Sequence, residues 1–177
     1  LLTGCDQTDD TPTPAEQERI LEGQPAIFVE THSSVALEGN EEIYLGQPNK
    51  EALTALGEVC PQTMEYRLQQ SVEKAWFRGC EFERPQGTLR SVRVGFWPSI
   101  GDRVATLEVK RDGIELPVVR ERFRDLAGGV DKDVVRSGYL EMRGNRYQLI
   151  ADRDEGAEGP THITIGYTRG YAETLAQ

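Results

Sequence analysis

The sequence predicts an α+β fold of two similar halves, each an antiparallel sheet (hairpin, helix, meander) covered by one helix. Three observations lead there. Short apolar runs flank turns that pair Gly with Asn or Asp, the mark of hairpins. Two segments with helical apolar spacing each stop at a glycine. The same order of elements is then written twice, and the interval from Gly57 to Gly95 equals that from Gly128 to Gly166.

The chain opens on a stretch that cannot fold alone. Residues 6–14 contain no aliphatic or aromatic side chain, so nothing there offsets the entropy of ordering, and residues 1–13 read as a tether. Thr13-Pro14-Ala15-Glu16 has the form of a capping box with Pro at the first helical position. It predicts a short helix through Ile20 and Leu21 to Gly23, followed by a strand over 26–30.

That helix and the first half occupy residues 14–98. Val35, Ala36 and Leu37 run into a turn at Gly39-Asn40 and return through Ile43, Tyr44 and Leu45. A helix over 50–57 presents Leu53 and Leu56 on one face and closes on Gly57. A meander follows through Trp76-Phe77-Arg78-Gly79 and Glu81-Phe82-Glu83, ending on Val92-Arg93-Val94-Gly95-Phe96. The second half occupies residues 99–177. Its hairpin runs from Ala105-Thr106-Leu107-Glu108 round Arg111-Asp112-Gly113 and back through Ile114-Glu115-Leu116. Its helix over 120–128 carries Phe123 and Leu126 on the face begun by Val119 and ends at Gly128. Its meander passes Arg143-Gly144 and closes on Ile163-Thr164-Ile165-Gly166-Tyr167. Pro98-Ser99-Ile100-Gly101-Asp102 punctuates the seam. Halves this small bury limited apolar area, so they are expected to pack together or share a sheet.

Cys60 lies just past the first helix and Cys80 directly after the first Arg-Gly pair, where the second half carries Asp131 and Asn145. A Cys60–Cys80 disulfide would fasten the longer helix-to-strand excursion of the first half, contributing about 3 kcal/mol in the chain-entropy model. Two free buried cysteines are the alternative. The wide separation favours a structural over a redox bridge. Neither cysteine has the close Cys or His neighbour that zinc ligation needs.

The third cysteine supplies an address. Leu2-Thr3-Gly4-Cys5 resembles the lipobox of bacterial lipoproteins, with an aliphatic residue three before the thiol and small residues between. The resemblance implies a leader upstream, cleavage before Cys5, and lipidation of Cys5, so that the body hangs from a membrane on the periplasmic side of the cell envelope. Asp6 resembles an inner-membrane retention signal of enteric bacteria; inner and outer membrane both stay open. With Cys5 lipidated, Cys60 and Cys80 remain as an even pair in an oxidising compartment. No later run is apolar for anything near the ~20 residues of a transmembrane helix. A formal net charge of −10 opposes phosphate-backbone binding, which sets nucleic acid aside as a partner.

Signatures of chemistry are sparse. There is no nucleophile elbow, metalloprotease helix, phosphate loop or dinucleotide fingerprint. His32 sits in Thr31-His32-Ser33-Ser34, and an envelope hydrolase using it is one alternative. Adjacent residues on an extended chain face opposite ways, however, so His32 and Ser33 are poorly placed to share a proton. His162 begins the last strand and reads as an exposed edge residue. Residues 152–159 set the carboxylates of Asp152, Asp154, Glu155 and Glu158 near Gly156 and Gly159, which suggests a calcium- or solute-binding module as a second alternative. The loop lacks the spacing and closing Glu of an EF-hand, and a solvated hairpin loop suits it better. No cofactor and no metal ligand set is expected. Trp76 and Trp97 belong to an aromatic cluster in which alternation must turn some members outward. They are the candidate partner surface, with packing between the halves as the competing use.

Asn49-Lys50-Glu51 opening a helix and Leu56-Gly57 closing it, within residues 46–57, is similar to the helix segment of small lipoproteins in the outer-membrane β-barrel assembly machine. That resemblance implies an accessory role in an envelope assembly. The chain as a whole reads as a non-enzymatic, lipid-anchored envelope protein that binds a protein partner.

Overall fold

The computed structural model describes residues 34–36, 42–60, 62–67, 74–86, 89–153 and 159–177. Cys5, the tether, the helix expected from Pro14, the strand at 26–30, His32 and residues 154–158 lie outside the described residues. No described helix is long and apolar enough to cross a membrane.

The first elements follow the hairpin pattern. β1 (Ser34–Ala36) pairs antiparallel with β2 (Glu42–Tyr44), with Val35 opposite Ile43. Helix α1 (Asn49–Val59) then leads into β3 (Met64–Arg67), β4 (Trp76–Gln86), β5 (Leu89–Trp97) and β6 (Arg103–Arg111). Helix α2 (Leu116–Ala127) leads into β7 (Val130–Arg136), β8 (Tyr139–Gly144), β9 (Tyr147–Arg153) and β10 (Thr161–Tyr167). A last helix, α3 (Arg169–Leu175), is N-capped by Thr168.

These strands do not form two sheets, each with its own helix. They form one eight-stranded antiparallel sheet in the order β3-β4-β5-β6-β10-β9-β8-β7. The two meanders meet at their last strands, where β6 and β10 stay in register from Arg111↔Thr161 to Thr106↔Gly166. The reason lies in the pattern of both strands. Leu107, Val109, Ile163 and Ile165 are almost fully buried on the same face, and parting the strands would expose that face and create two unpaired edges. The α+β class that the sequence predicts holds: the described residues form three helices and mostly sheet.

One hydrophobic cluster fills the space between the sheet and the helices. Val92, Val94 and Phe96 of β5 and Leu140, Met142 and Leu149 of β8 and β9 meet Ala52 and Leu56 of α1, Val119 and Phe123 of α2 and Ala172 of α3. Strands β5, β6, β8, β9 and β10 contribute alternate residues, as the period of two requires. At the far end Tyr171 of α3 packs on Tyr147 and Tyr167, and burial beside these phenols pushes Tyr167 up to about 12.

Four local expectations change. Gly57 does not end α1. The helix continues to Val59, which reaches the core, and the Cys60 N–H donates to the Leu56 carbonyl at 2.8 Å. Cys60 and Cys80 are disulfide-bonded with Cα atoms 5.8 Å apart, tying the end of α1 to the helix-covered face of β4. Residues 114–116 are not a returning strand. Gly113 turns the chain with φ +73°, Ile114 is fully buried, and the helix begins at Leu116 with Pro117 in its first turn, where a missing N–H costs no hydrogen bond. Gly128, by contrast, does cap α2 in the left-handed region, as its glycine stop predicts. Residues 98–102 are the tight connection within the β5–β6 hairpin, so the chain passes there from strand to neighbouring strand of one sheet. The Gly95 and Gly166 strands, matched by interval, also hold different stations: β10 is central, and β5 lies one strand further out.

Candidate functional site

The described helices pack on one face of the eight-stranded sheet, and alternate residues of its strands line the other. On that second face one row of cross-strand neighbours crosses the whole sheet. It runs Met64, Gly79, Arg93 and Glu108 on β3 to β6, then Thr164, Ile150, Glu141 and Val134 on β10 to β7. Met64 and Ile150 are apolar yet 53% and 44% exposed.

Between them lies a connected chain of polar and aromatic groups. Phe77 lies over Gly95 of the next strand, where a Cβ would come within 2.6 Å of its ring, so only glycine lets it lie flat. The Arg93 guanidinium sits over the Phe77 ring at 5.6 Å from its centroid. Arg93 Nε donates to Glu108 Oε2 at 2.8 Å and Nη2 donates to the same oxygen. The other oxygen of Glu108 lies 2.8 Å from His162 Nε2, and His162 Nδ1 lies 3.4 Å from Asp152 Oδ1. The chain thus spans β4, β5, β6, β10 and β9 and crosses the junction of the two meanders. Beside it Lys110 faces Glu81 at 3.7 Å, and further along the face Lys132 and Tyr139 both hydrogen-bond Glu141.

Electrostatics follow from this packing. Burial pushes the Glu108 carboxyl up, but hydrogen bonds from His162 and Arg93, with their charges, outweigh it and hold Glu108 below the usual range. The hydrogen bond to Glu108 raises His162; burial opposes it, the charges of Glu108 and Asp152 add to it, and Lys110 subtracts. The charges therefore arrive already paired and hydrogen-bonded, which reduces the reorganisation that binding would require. Among the described residues this face carries hollows. One of about 360 Å³ is lined by Met64, Gly79, Ser91, Arg93, Glu108 and His162, and one of about 150 Å³ by Thr106, Lys132, Glu141, Gln148 and Ile150 among others.

His162 is therefore no edge residue. It sits on a central strand, hydrogen-bonded and 31% exposed, because β10 is flanked by both β6 and β9. Its two ring nitrogens face different carboxylates, and no three His, Cys, Asp or Glu side chains among the described residues are grouped to hold a metal. Trp76 belongs to the helix-covered face: it stacks on Phe96 with ring centroids 4.3 Å apart, and its indole N–H donates to Asp102 Oδ1 at 3.0 Å. Trp97 is half-buried against the core. The exposed apolar groups of the face are instead Met64 and Ile150. Ile150 was detectable in sequence: Leu149 and Ala151 alternate inward, which leaves it outward between Gln148 and Asp152. The partnership of Arg93, Glu108 and His162 was not, since they are contributed by three strands that only the sheet order brings together.

No protein-family model, curated protein or solved structure matches this chain.

Proposed function

We propose that this is a non-enzymatic, lipid-anchored protein of the bacterial cell envelope, and that it docks a protein partner on the face that carries the Met64–Ile150 row. One observation carries the reading. A broad sheet face free of described helices holds pre-paired charges at its centre and exposed apolar side chains on either side, which is how a polar, protein-binding surface is composed. The lipobox-like Leu2-Thr3-Gly4-Cys5 supports the anchor, and the acidic residues 6–14 suit a spacer between membrane and body.

Two experiments test this. Metabolic labelling with a radioactive fatty acid should mark the wild type and not Cys5→Ala; equal labelling refutes the anchor. Cross-linked capture from the native membrane should recover the same partner with wild type and with a substitution on the helix side, such as Val135→Glu. Ile150→Glu should lose it at unchanged melting temperature. If Ile150→Glu and Met64→Glu both retain the partner, the face is not the docking surface.

We also infer that the face was assembled by duplication, as two similar halves. The support is that α1 precedes β3–β6 and α2 precedes β7–β10, with the two sets in mirrored order about the β6–β10 junction. Relatives consisting of one helix and one four-stranded meander, pairing as symmetric dimers, would support it. Halves that share no more sequence than unrelated meanders, when aligned helix to helix across many homologues, would refute it.

A further inference from the structure

We infer that His162 is a proton-operated clasp across three adjacent strands: as an imidazolium it holds Glu108 of β6 and Asp152 of β9 together, and loss of one proton releases Asp152. The argument starts from valence. A neutral imidazole has one N–H donor and one bare lone pair, whereas the imidazolium has two donors. Here Nε2 lies 2.8 Å from Glu108 Oε1 and Nδ1 lies 3.4 Å from Asp152 Oδ1, so each nitrogen faces a carboxylate. Only the charged ring satisfies both. The Glu108 contact is a hydrogen bond and the Asp152 contact an ion pair at 3.4 Å; in the neutral ring the attraction on Asp152 is gone and a lone pair lies beside an anion, so one contact opens.

Which contact opens is set by burial. The side chain of Glu108 is 18% exposed and held from its other side by Arg93, whereas that of Asp152 is 52% exposed and free to turn into water. A repelled group leaves where water can solvate it, so the remaining proton stays on Nε2 and Asp152 swings out. The other charged groups facing His162 do not reverse this. Lys110 lies directly opposite on β6 but is drawn toward Glu81, and Arg93 on β5 is occupied by Glu108. From acidic to alkaline solution the group Arg93–Glu108–His162–Asp152 changes from neutral to one net negative charge, and the β9–β10 part of the face loosens. This holds whether or not the face docks a partner.

The test is imidazole NMR on the full chain carrying His32→Gln, which leaves His162 as the single histidine. Expected are a titration midpoint above 6.5, protons on both nitrogens at pH 6, and the Nε2–H tautomer above the midpoint. Glu108→Gln should lower the midpoint more than Asp152→Asn, because the closer and more buried carboxylate holds the charge more strongly. Asp152→Asn, at an exposed position, keeps the comparison readable should Glu108→Gln fail to fold. A midpoint at or below 6.5, an Nδ1–H tautomer at high pH, or a larger drop with Asp152→Asn overturns the clasp.

Discussion

Two glycines offer one substitution with opposite outcomes. At Gly79 on β4, an added Cβ would lie 2.2 Å from the Val92 carbonyl oxygen and 2.8 Å from the Arg93 Cα, both backbone atoms of the paired strand β5. Ordinary van der Waals contact begins near 3.4 Å, so the β4–β5 pair must part by about an ångström, and backbone in a paired strand cannot yield as a side-chain tip does. Overpacking costs about 1–3 kcal/mol, and Gly79→Ala belongs at the upper end because the shift would also disturb Arg93 and its bond to Glu108. At Gly57, inside α1, an added Cβ meets nothing within 4 Å and the site is exposed. Gly57→Ala should therefore stabilise by about 0.5–1 kcal/mol, the entropic cost of glycine in a helix. Urea unfolding followed by tryptophan fluorescence reads both, with Trp76 on β4 reporting beside the perturbed pair. The two midpoints should lie on opposite sides of wild type at equal slope. A Gly79→Ala protein as stable as wild type would refute the tight β4–β5 approach, and a destabilised Gly57→Ala would refute the extension of α1 to Val59.

Three further outcomes are expected. Cys60→Ser/Cys80→Ser, or reductant added to the wild type, should lower unfolding stability by about 3 kcal/mol, since the bridge closes a loop with sequence separation 20; an unchanged urea midpoint would show that the bond is not formed. Phe123→Ala, at a fully buried position of α2 against the sheet, should cost about 3–5 kcal/mol in the same assay, and a loss under 1 kcal/mol would mean α2 is not docked there. The Glu108–His162 pair should make stability depend on pH in both directions. Glu108 is held below its ordinary 4.5, so its contribution is present above that value and fades as pH falls through the lowered one. His162 is raised above 6.5, so its contribution is complete below that value and is lost as pH rises through the raised one. The pair therefore contributes most between 4.5 and 6.5, and His162→Gln should flatten the alkaline decline in melting temperature; an identical decline in that variant would refute the assignment.

Local grammar was legible where short-range chemistry decides it. The hairpin at Val35 and Ile43 and the left-handed cap at Gly128 depend on neighbours within a few residues. The Cys60–Cys80 pairing was legible from parity, on the expectation that Cys5 is not one of the paired cysteines. Gly57 misled because a glycine permits a helix to stop without forcing it to, and the buried Val59 carried the helix on. Residues 114–116 misled because the turn residues suit a hairpin and a helix entry equally, and Pro117 selects the helix. Trp76 pointed to a surface because its alternation could not be phased. The pairing Trp76↔Phe96 phases it toward the core.

Composition, turn chemistry and periodicity determined, without coordinates, that this chain forms helices and antiparallel strands. Each is a property of single residues or near neighbours, and sequence order preserves it. Only the tertiary structure decided that the meanders join as one sheet through β6 and β10, and that Arg93, Glu108, His162 and Asp152 meet across four of its strands. Glu108 and His162 are 54 residues apart in the chain and 2.8 Å apart in space. No local preference encodes that approach. It follows from which strand edges find each other once the apolar faces of both meanders are buried together.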